Sequence, residues 1–291
     1  MSEAQTHTRW QIDLPQEHED AATDWLLEHG ASATYRDADP PMQFFAYFPP
    51  GAELPGTESL SAFAGVSLIS EETFADEDWL AKSREAFAPI EVGRGLFILP
   101  HWHEGPIPHG RIPIVVNPGL AFGTGGHETT RLCMCLLEGL AENGDLHGPV
   151  LDIGAGTGIL AYTAHLLGAE DVAAFDIDPD CGPAMTEFLE MNLATRRPGS
   201  QIQHFIGALE DPRVDRKYNL LIANILLETI QELLPLMVQK LEPGGVLIVS
   251  GILGERQDEA LLSLALNGLK PIKMTSEGEW VAILAECPVG L

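Results

Sequence analysis

The sequence predicts an α/β protein: a mostly parallel, Rossmann-like sheet with helices on both faces and an antiparallel C-terminal edge, preceded by a small α+β domain of ferredoxin-like type. Three observations predict it. From about Glu91 onward, short apolar strands alternate with helices, the pattern of a parallel sheet. Within that stretch LDIGAGTGIL (Leu151 to Leu160) sets Gly154, Gly156 and Gly158 at every second position where a strand turns into a helix. Ahead of it, residues 1–75 run in the order β-α-β-β-α-β.

The N-terminal elements follow from local chemistry. RWQIDL reads as a strand, EHEDAATDWLLEHG as a helix closed by Gly30, ATYRD as a strand and MQFFAYFP as an aromatic strand. After the turn PPGAELPG come LSAFAG as a helix and VSLISEE as a strand. DEDWLAKSREAF then reads as a short helix whose acidic start suits the N-terminal dipole. Residues 76–90 are therefore expected to link the first domain to a second one at 91–291.

In the second domain PIEVGRGLFILP reads as a hairpin turning at Gly93 and Gly95, and RIPIVV as a strand. The helix ETTRLCMCLLEGL, the strand PVLDIG and the helix GILAYTAHLLGA come next. DVAAFDID, QIQHFIG, YNLLIANIL and GVLIVSGIL are further strands, with PAMTEFLEMNLAT and TIQELLPLMVQKL as the intervening helices. PIKMTSEGEWVAILAE supplies the final antiparallel pair.

Composition sets the limits. The 291 residues are 45% hydrophobic and 20% charged, enough to bury a core. Sixteen Lys+Arg stand against 43 Asp+Glu, a formal net charge of −27, which disfavours direct nucleic-acid binding and either draws in a basic protein partner or serves solubility. Cys133, Cys135, Cys181 and Cys287 form no C-x-x-C and no metal pattern, so reduced thiols are expected and no metal. HWH at His101 to His103 offers two ligands without a third, so both histidines are expected as polar side chains at the surface. No stretch approaches the ~18 apolar residues of a membrane span, and no signal core opens the chain, so a cytoplasmic monomer is expected.

Glycines at a strand-to-helix turn let the backbone approach a ligand beside free helix N–H groups. A tight turn without ligand, a nicotinamide enzyme and an S-adenosylmethionine enzyme all fit that much. The spacing discriminates among them. The dinucleotide fingerprint is G-x-G-x-x-G, whereas here the third glycine arrives one position early and Asp152 precedes it. Asp176, ending the next strand, falls where a carboxylate accepts the ribose hydroxyls. Together these favour S-adenosylmethionine.

Upstream lies NPGLAFGTGGHETT, Asn117 to Thr130, a loop too rich in glycine for a regular element. It resembles the D-P-G-x-A-F-G-T-G-x-H-x-T-T signature of the PrmA family, methyltransferases of large-subunit ribosomal protein L11. ADEDWLAKSREAFAPIEVG, NLLIANIL and GGVLIVSGIL agree with the same family, so the resemblance covers about Asp76 to Gly254. Three positions depart from the pattern: Asn117 replaces aspartate, Gly126 a common threonine and Glu128 a common proline.

The resemblance implies a ferredoxin-like substrate-recognition domain and a class I S-adenosylmethionine-dependent methyltransferase domain. It implies that Phe122, Thr124 and His127 border the methionine end of the cofactor, that Gly154 and Gly156 face its backbone, and that Asp176 meets its ribose; Thr130, Asp152 and Asn224 are further expected to contribute to cofactor binding. Asn224, in ANIL at a strand end, is expected beside the target amine, where its carbonyl would accept a hydrogen bond. The expected reaction is methylation of lysine side chains of L11, with the N-terminal amine as a further acceptor. The alternative keeps the cofactor and changes the acceptor to another protein lysine or a small amine; a nicotinamide-dependent oxidoreductase and a non-catalytic module that senses S-adenosylmethionine are the remaining rivals.

Overall fold

The computed structural model describes residues 6–15, 18–36, 43–52, 54–56, 60, 65–75, 88–117, 125–195 and 201–289. The chain divides into two compact units, Met1–Phe87 and Ala88–Leu291.

The first unit carries β1 (Thr6–Asp13), α1 (Glu19–Glu28), β2 (Ala33–Arg36), β3 (Phe44–Phe48) and β4 (Ser67–Ala75). Its sheet has the order β2-β3-β1-β4, with every neighbour antiparallel. Period-two alternation puts Trp10 and Ile12 of β1 beside Phe44, Ala46 and Phe48 of β3 in one apolar cluster, to which α1 contributes Ala22 and Leu26. The Trp10 and Phe48 rings meet edge to face at 5.0 Å, and the Trp10 indole donates to Glu71 at 2.9 Å, so the ring is buried with its one polar atom satisfied. The strand order is the one that β-α-β-β-α-β produces. LSAFAG, expected as the second helix, falls mostly on residues outside those described, as does the expected linker helix at 76–87.

The second unit opens with β5 (Ile90–Val92), β6 (Leu96–Pro100) and β7 (Ile112–Val116). They form a separate three-stranded sheet, antiparallel between β5 and β6 and parallel between β6 and β7. The hairpin turn is fixed by Glu138, whose carboxylate accepts the amides of Arg94 at 2.8 Å and Gly95 at 2.6 Å.

The large sheet contains β8 (Pro149–Ile153), β9 (Asp171–Asp176), β10 (Gln201–Ile206), β11 (Tyr218–Asn224), β12 (Leu241–Leu253), β13 (Lys270–Glu277) and β14 (Trp280–Glu286). Their order is β10-β9-β8-β11-β12-β14-β13, parallel through β12 and antiparallel at β14 and β13. The helices are α2 (Glu128–Asn143), α3 (Ile159–Leu166), α4 (Cys181–Met191), α5 (Leu227–Lys240) and α6 (Gln257–Leu266). Both faces are covered, so the inner strands read as unbroken apolar runs: Leu220 to Ala223 and Leu247 to Val249 are buried throughout. From β8 the chain builds one way to β9 and β10, then returns to add β11 and β12 on the other side. The strand order therefore reverses between β8 and β11, where an open α/β sheet leaves a crevice beyond its carboxyl ends.

Two features differ from the sequence reading. RIPIVV pairs with β6 instead of extending the alternating sheet, and helix α6 was not anticipated. Its leucines do not segregate cleanly: Leu264 is buried, whereas Leu262 and Leu266 are exposed.

Candidate active site

The glycine loop joins β8 to α3 at this crevice. Gly154, Gly156 and Gly158 all have positive φ, at 68°, 55° and 81°. A Cβ on Gly154 would stand 2.5 Å from Ile225 Cγ2, and one on Gly158 would stand 2.9 Å from Met185 Cγ. Backbone conformation and neighbouring side chains thus both demand glycine. Gly158 is the N-cap of α3 and offers no side chain, so the cap comes from elsewhere.

That cap is Asp152. Its Oδ2 accepts the Ala161 amide at 2.9 Å, and its side chain is only 1% exposed. Burial pushes its carboxyl up to about 7; the Ala161 amide pulls the other way, and the charge of Asp176 adds to the rise. Asp152 is not among the residues that line the cavity described below. Expected at the cofactor, it lies beneath the loop, holding the first turn of α3 in place.

Asp176, last residue of β9, turns its carboxylate to the loop. Oδ2 accepts the Gly156 amide at 2.9 Å and Oδ1 accepts the Asp178 amide at 3.0 Å. Two acceptor oxygens with further lone pairs leave it able to receive a diol as well.

A cavity of about 620 Å³ lies over these strand ends, and Gly154, Gly156, Asp176, Asn224, His127 and Trp280 contribute to its wall. Among the described residues its charged lining side chains are Asp176, Asp178 and Glu210, with no lysine or arginine. The remainder of the wall is mainly apolar, Ile177, Leu209 and Ile225 included. Such a wall suits a cation and an uncharged ring.

His127 is the N-cap of α2. Its Nδ1 accepts the Thr129 amide at 3.3 Å and meets the Thr129 hydroxyl at 2.8 Å, and its ring lies 4.9 Å from that of Trp280, edge to face. An accepting Nδ1 assigns the ring proton to Nε2. Thr129 lines the cavity; Thr130, expected there, is buried behind it at 1% exposure and accepts a 3.4 Å bond from Asn224 Nδ2. Asn224, last residue of β11, does reach the cavity wall. With Nδ2 on Thr130, Oδ1 is the amide atom left to accept. Phe122 and Thr124 lie outside the described residues.

Three lining residues carried no sequence signal that was read. Trp280 begins β14, opposite Glu277 across the turn at Gly278 and Glu279. Gly251 has φ 81°, and a Cβ there would meet the Ile225 carbonyl oxygen at 2.3 Å, so the β12 backbone packs directly against the residue after Asn224. Cys181 also lines the cavity, but burial, followed by the nearby Asp176 and Asp178 charges, pushes its thiol up to about 11. It stays protonated near neutrality and is no nucleophile. Among the described residues no group of three or more His, Cys, Asp or Glu is placed to hold a metal, and no helix is long and apolar enough to cross a membrane.

Comparison with known proteins agrees with this geometry. Residues 62–287 match the family described as ribosomal protein L11 methyltransferase (PrmA). A ribosomal protein L11 methyltransferase from Pelobacter propionicus is 40% identical over 214 residues, 73% of this chain and 67% of that protein. One from Acetivibrio thermocellus is 34% identical over 252 residues, covering 83% and 78% respectively. The crystal structure of a ribosomal protein L11 methylase from Lactobacillus delbrueckii subsp. bulgaricus superposes with a TM-score of 0.60 at 32% identity, over 68% of this chain and 98% of that one.

Proposed function

The chain belongs to the family of ribosomal protein L11 methyltransferases, and from that premise we propose that it transfers methyl groups from S-adenosylmethionine to lysine side chains of L11 in the cytoplasm, with the N-terminal amine as a further acceptor. One observation carries the reading: a cavity at the strand-order reversal that has Asp176 and Asn224 in its wall, with three carboxylates and no cationic side chain among the described residues.

The residues fit the cofactor. Gly154 and Gly156 keep the loop backbone bare where its chain would run, Asp176 would take the ribose hydroxyls, and the apolar surface of Ile177 and Leu209 would suit the adenine. The sulfonium supplies an already activated methyl group when bound. The protein's own share is to align an amine in its neutral form with that methyl group. A free lysine titrates at about 10.4, so the amine must lose its proton on entering a partly desolvated cleft. Asn224 Oδ1 then accepts one of its N–H groups and directs the lone pair. Thr130 holds the amide in that orientation through Nδ2.

Charge supports the acceptor. A chain with net charge −27 attracts a basic ribosomal protein and repels RNA. The nicotinamide reading loses ground to the early third glycine. The test is peptide fragmentation of L11 after incubation with the enzyme and S-adenosylmethionine. Methyl groups on lysine Nε and on the N-terminal amine are expected; methyl groups on other side chains only would refute the lysine assignment, and L11 left unmodified while a small amine is methylated would favour the alternative acceptor.

A further inference from the structure

His127 and Trp280 close one wall of the cavity, and the two rings come from opposite ends of the domain sequence. One side chain holds the neighbours of both. Arg131, one turn into α2, donates through Nη1 to the Gly126 carbonyl, directly before His127. Through Nε at 3.0 Å and Nη2 at 2.5 Å it donates to Glu277 Oε1. Glu277 is the cross-strand partner of Trp280 over the two-residue turn at Gly278 and Glu279. A second carboxylate, Glu128, lies 3.4 Å from Nη2. The Arg131 side chain is 16% exposed and that of Glu277 44%, so the arginine is largely covered while its carboxylate partner stays open to water.

We propose that Arg131 is a positioning residue for the methyltransferase site: by joining Gly126 to Glu277 it fixes the spacing of His127 and Trp280, and with it the fit of the cavity to S-adenosylmethionine. The inference rests on the reading of the cavity as the S-adenosylmethionine site. A planar guanidinium holds several donors in a fixed fork that spans a carbonyl and a carboxylate in set directions, a geometry that a compact ammonium does not reproduce and an apolar side chain lacks. Arg131 does not itself line the cavity, so it acts through the two rings. Nor is it needed for the core, because its partners lie at the helix start and at the hairpin tip.

The experiment compares wild type, Arg131→Lys, Arg131→Met, Glu277→Gln and the double variant. Calorimetry with S-adenosylhomocysteine gives Kd, steady-state methylation of L11 gives KM and kcat, and thermal unfolding gives Tm. Arg131→Met is expected to raise both Kd and the cofactor KM about tenfold while kcat at saturating cofactor changes less than about threefold, with Arg131→Lys between it and wild type. Glu277→Gln is expected to weaken binding by itself and to add little in the Arg131→Met background, since both act through one contact. Equal Kd in wild type and Arg131→Met would overturn the proposal, as would a loss of binding that only follows a fall in Tm or effects of the two substitutions that simply add. If wild type itself fails to bind S-adenosylhomocysteine, the reading of the cavity falls, and the proposal with it.

Discussion

Replacing Asp152 by asparagine tests the claim that this carboxylate is a buried cap and not a ligand contact. Burial raises its folded pKa from 3.8 to about 7, while the unfolded chain keeps the ordinary value. Between those pH values the folded protein holds a proton that the unfolded chain has lost. The stability from this group is therefore fully present below about 3.8, declines as pH rises, and is lost above about 7. At about 1.36 kcal/mol per pH unit the full span corresponds to about 4 kcal/mol, and relaxation around the charge brings the expected effect to roughly 2–4 kcal/mol. Asparagine keeps an Oδ1 for the Ala161 amide and cannot ionise. Its buried NH2 adds a cost of about 1–3 kcal/mol that does not vary with pH, so the informative quantity is the slope of the difference, not its offset. Urea unfolding of both proteins at fixed ionic strength from pH 5 to 8.5 should show Asp152→Asn gaining on wild type as pH rises. A flat difference, or wild type gaining instead, would refute the buried-cap assignment.

Three further outcomes follow from the same geometry. Gly154→Ala, with φ at 68° and a Cβ 2.5 Å from Ile225 Cγ2, should lower unfolding stability by about 1–3 kcal/mol and weaken S-adenosylhomocysteine binding at least about tenfold by calorimetry. Asp176→Asn should raise the cofactor Kd about 10- to 100-fold, since it loses a charged acceptor for the diol; an unchanged Kd would place the ribose elsewhere. Asn224→Ala should cut kcat for L11 methylation about 100-fold while the cofactor Kd stays within about threefold, and comparable losses in both would argue against amine positioning.

Much of the architecture was legible because it is written locally. Apolar strands alternating with amphipathic helices specify the parallel sheet, and three glycines before ILAYTAHLL mark the turn at which the sheet order reverses. Local pattern does not say which sheet a strand joins, and RIPIVV reads the same whether it pairs with β6 or with the main sheet. Helix α6 escaped because Leu262 and Leu266 are exposed beside the buried Leu264, which blurs the 3.6-residue period.

The site was legible where a residue type is forced by its backbone, as at Gly154 and Gly156, or closes a strand, as at Asp176 and Asn224. Asp152 was placed on the wrong side of the loop because a carboxylate before glycines looks alike whether it faces ligand or helix. Thr129 and Thr130 are adjacent, and only the helix phase decides which one reaches the cavity. Trp280 comes from a hairpin more than a hundred residues away in sequence, and no spacing rule ties it to His127.

The central claim is methyl transfer from S-adenosylmethionine to L11, and intact-mass spectrometry tests it most directly. Purified L11 is incubated with S-adenosylmethionine and either wild type or Asn224→Ala. The account predicts mass increments of one methyl group or its multiples with wild type and their near-complete loss with the variant. Unchanged L11 under conditions in which wild type still binds S-adenosylhomocysteine would contradict the acceptor assignment while leaving the fold and the cofactor site in place.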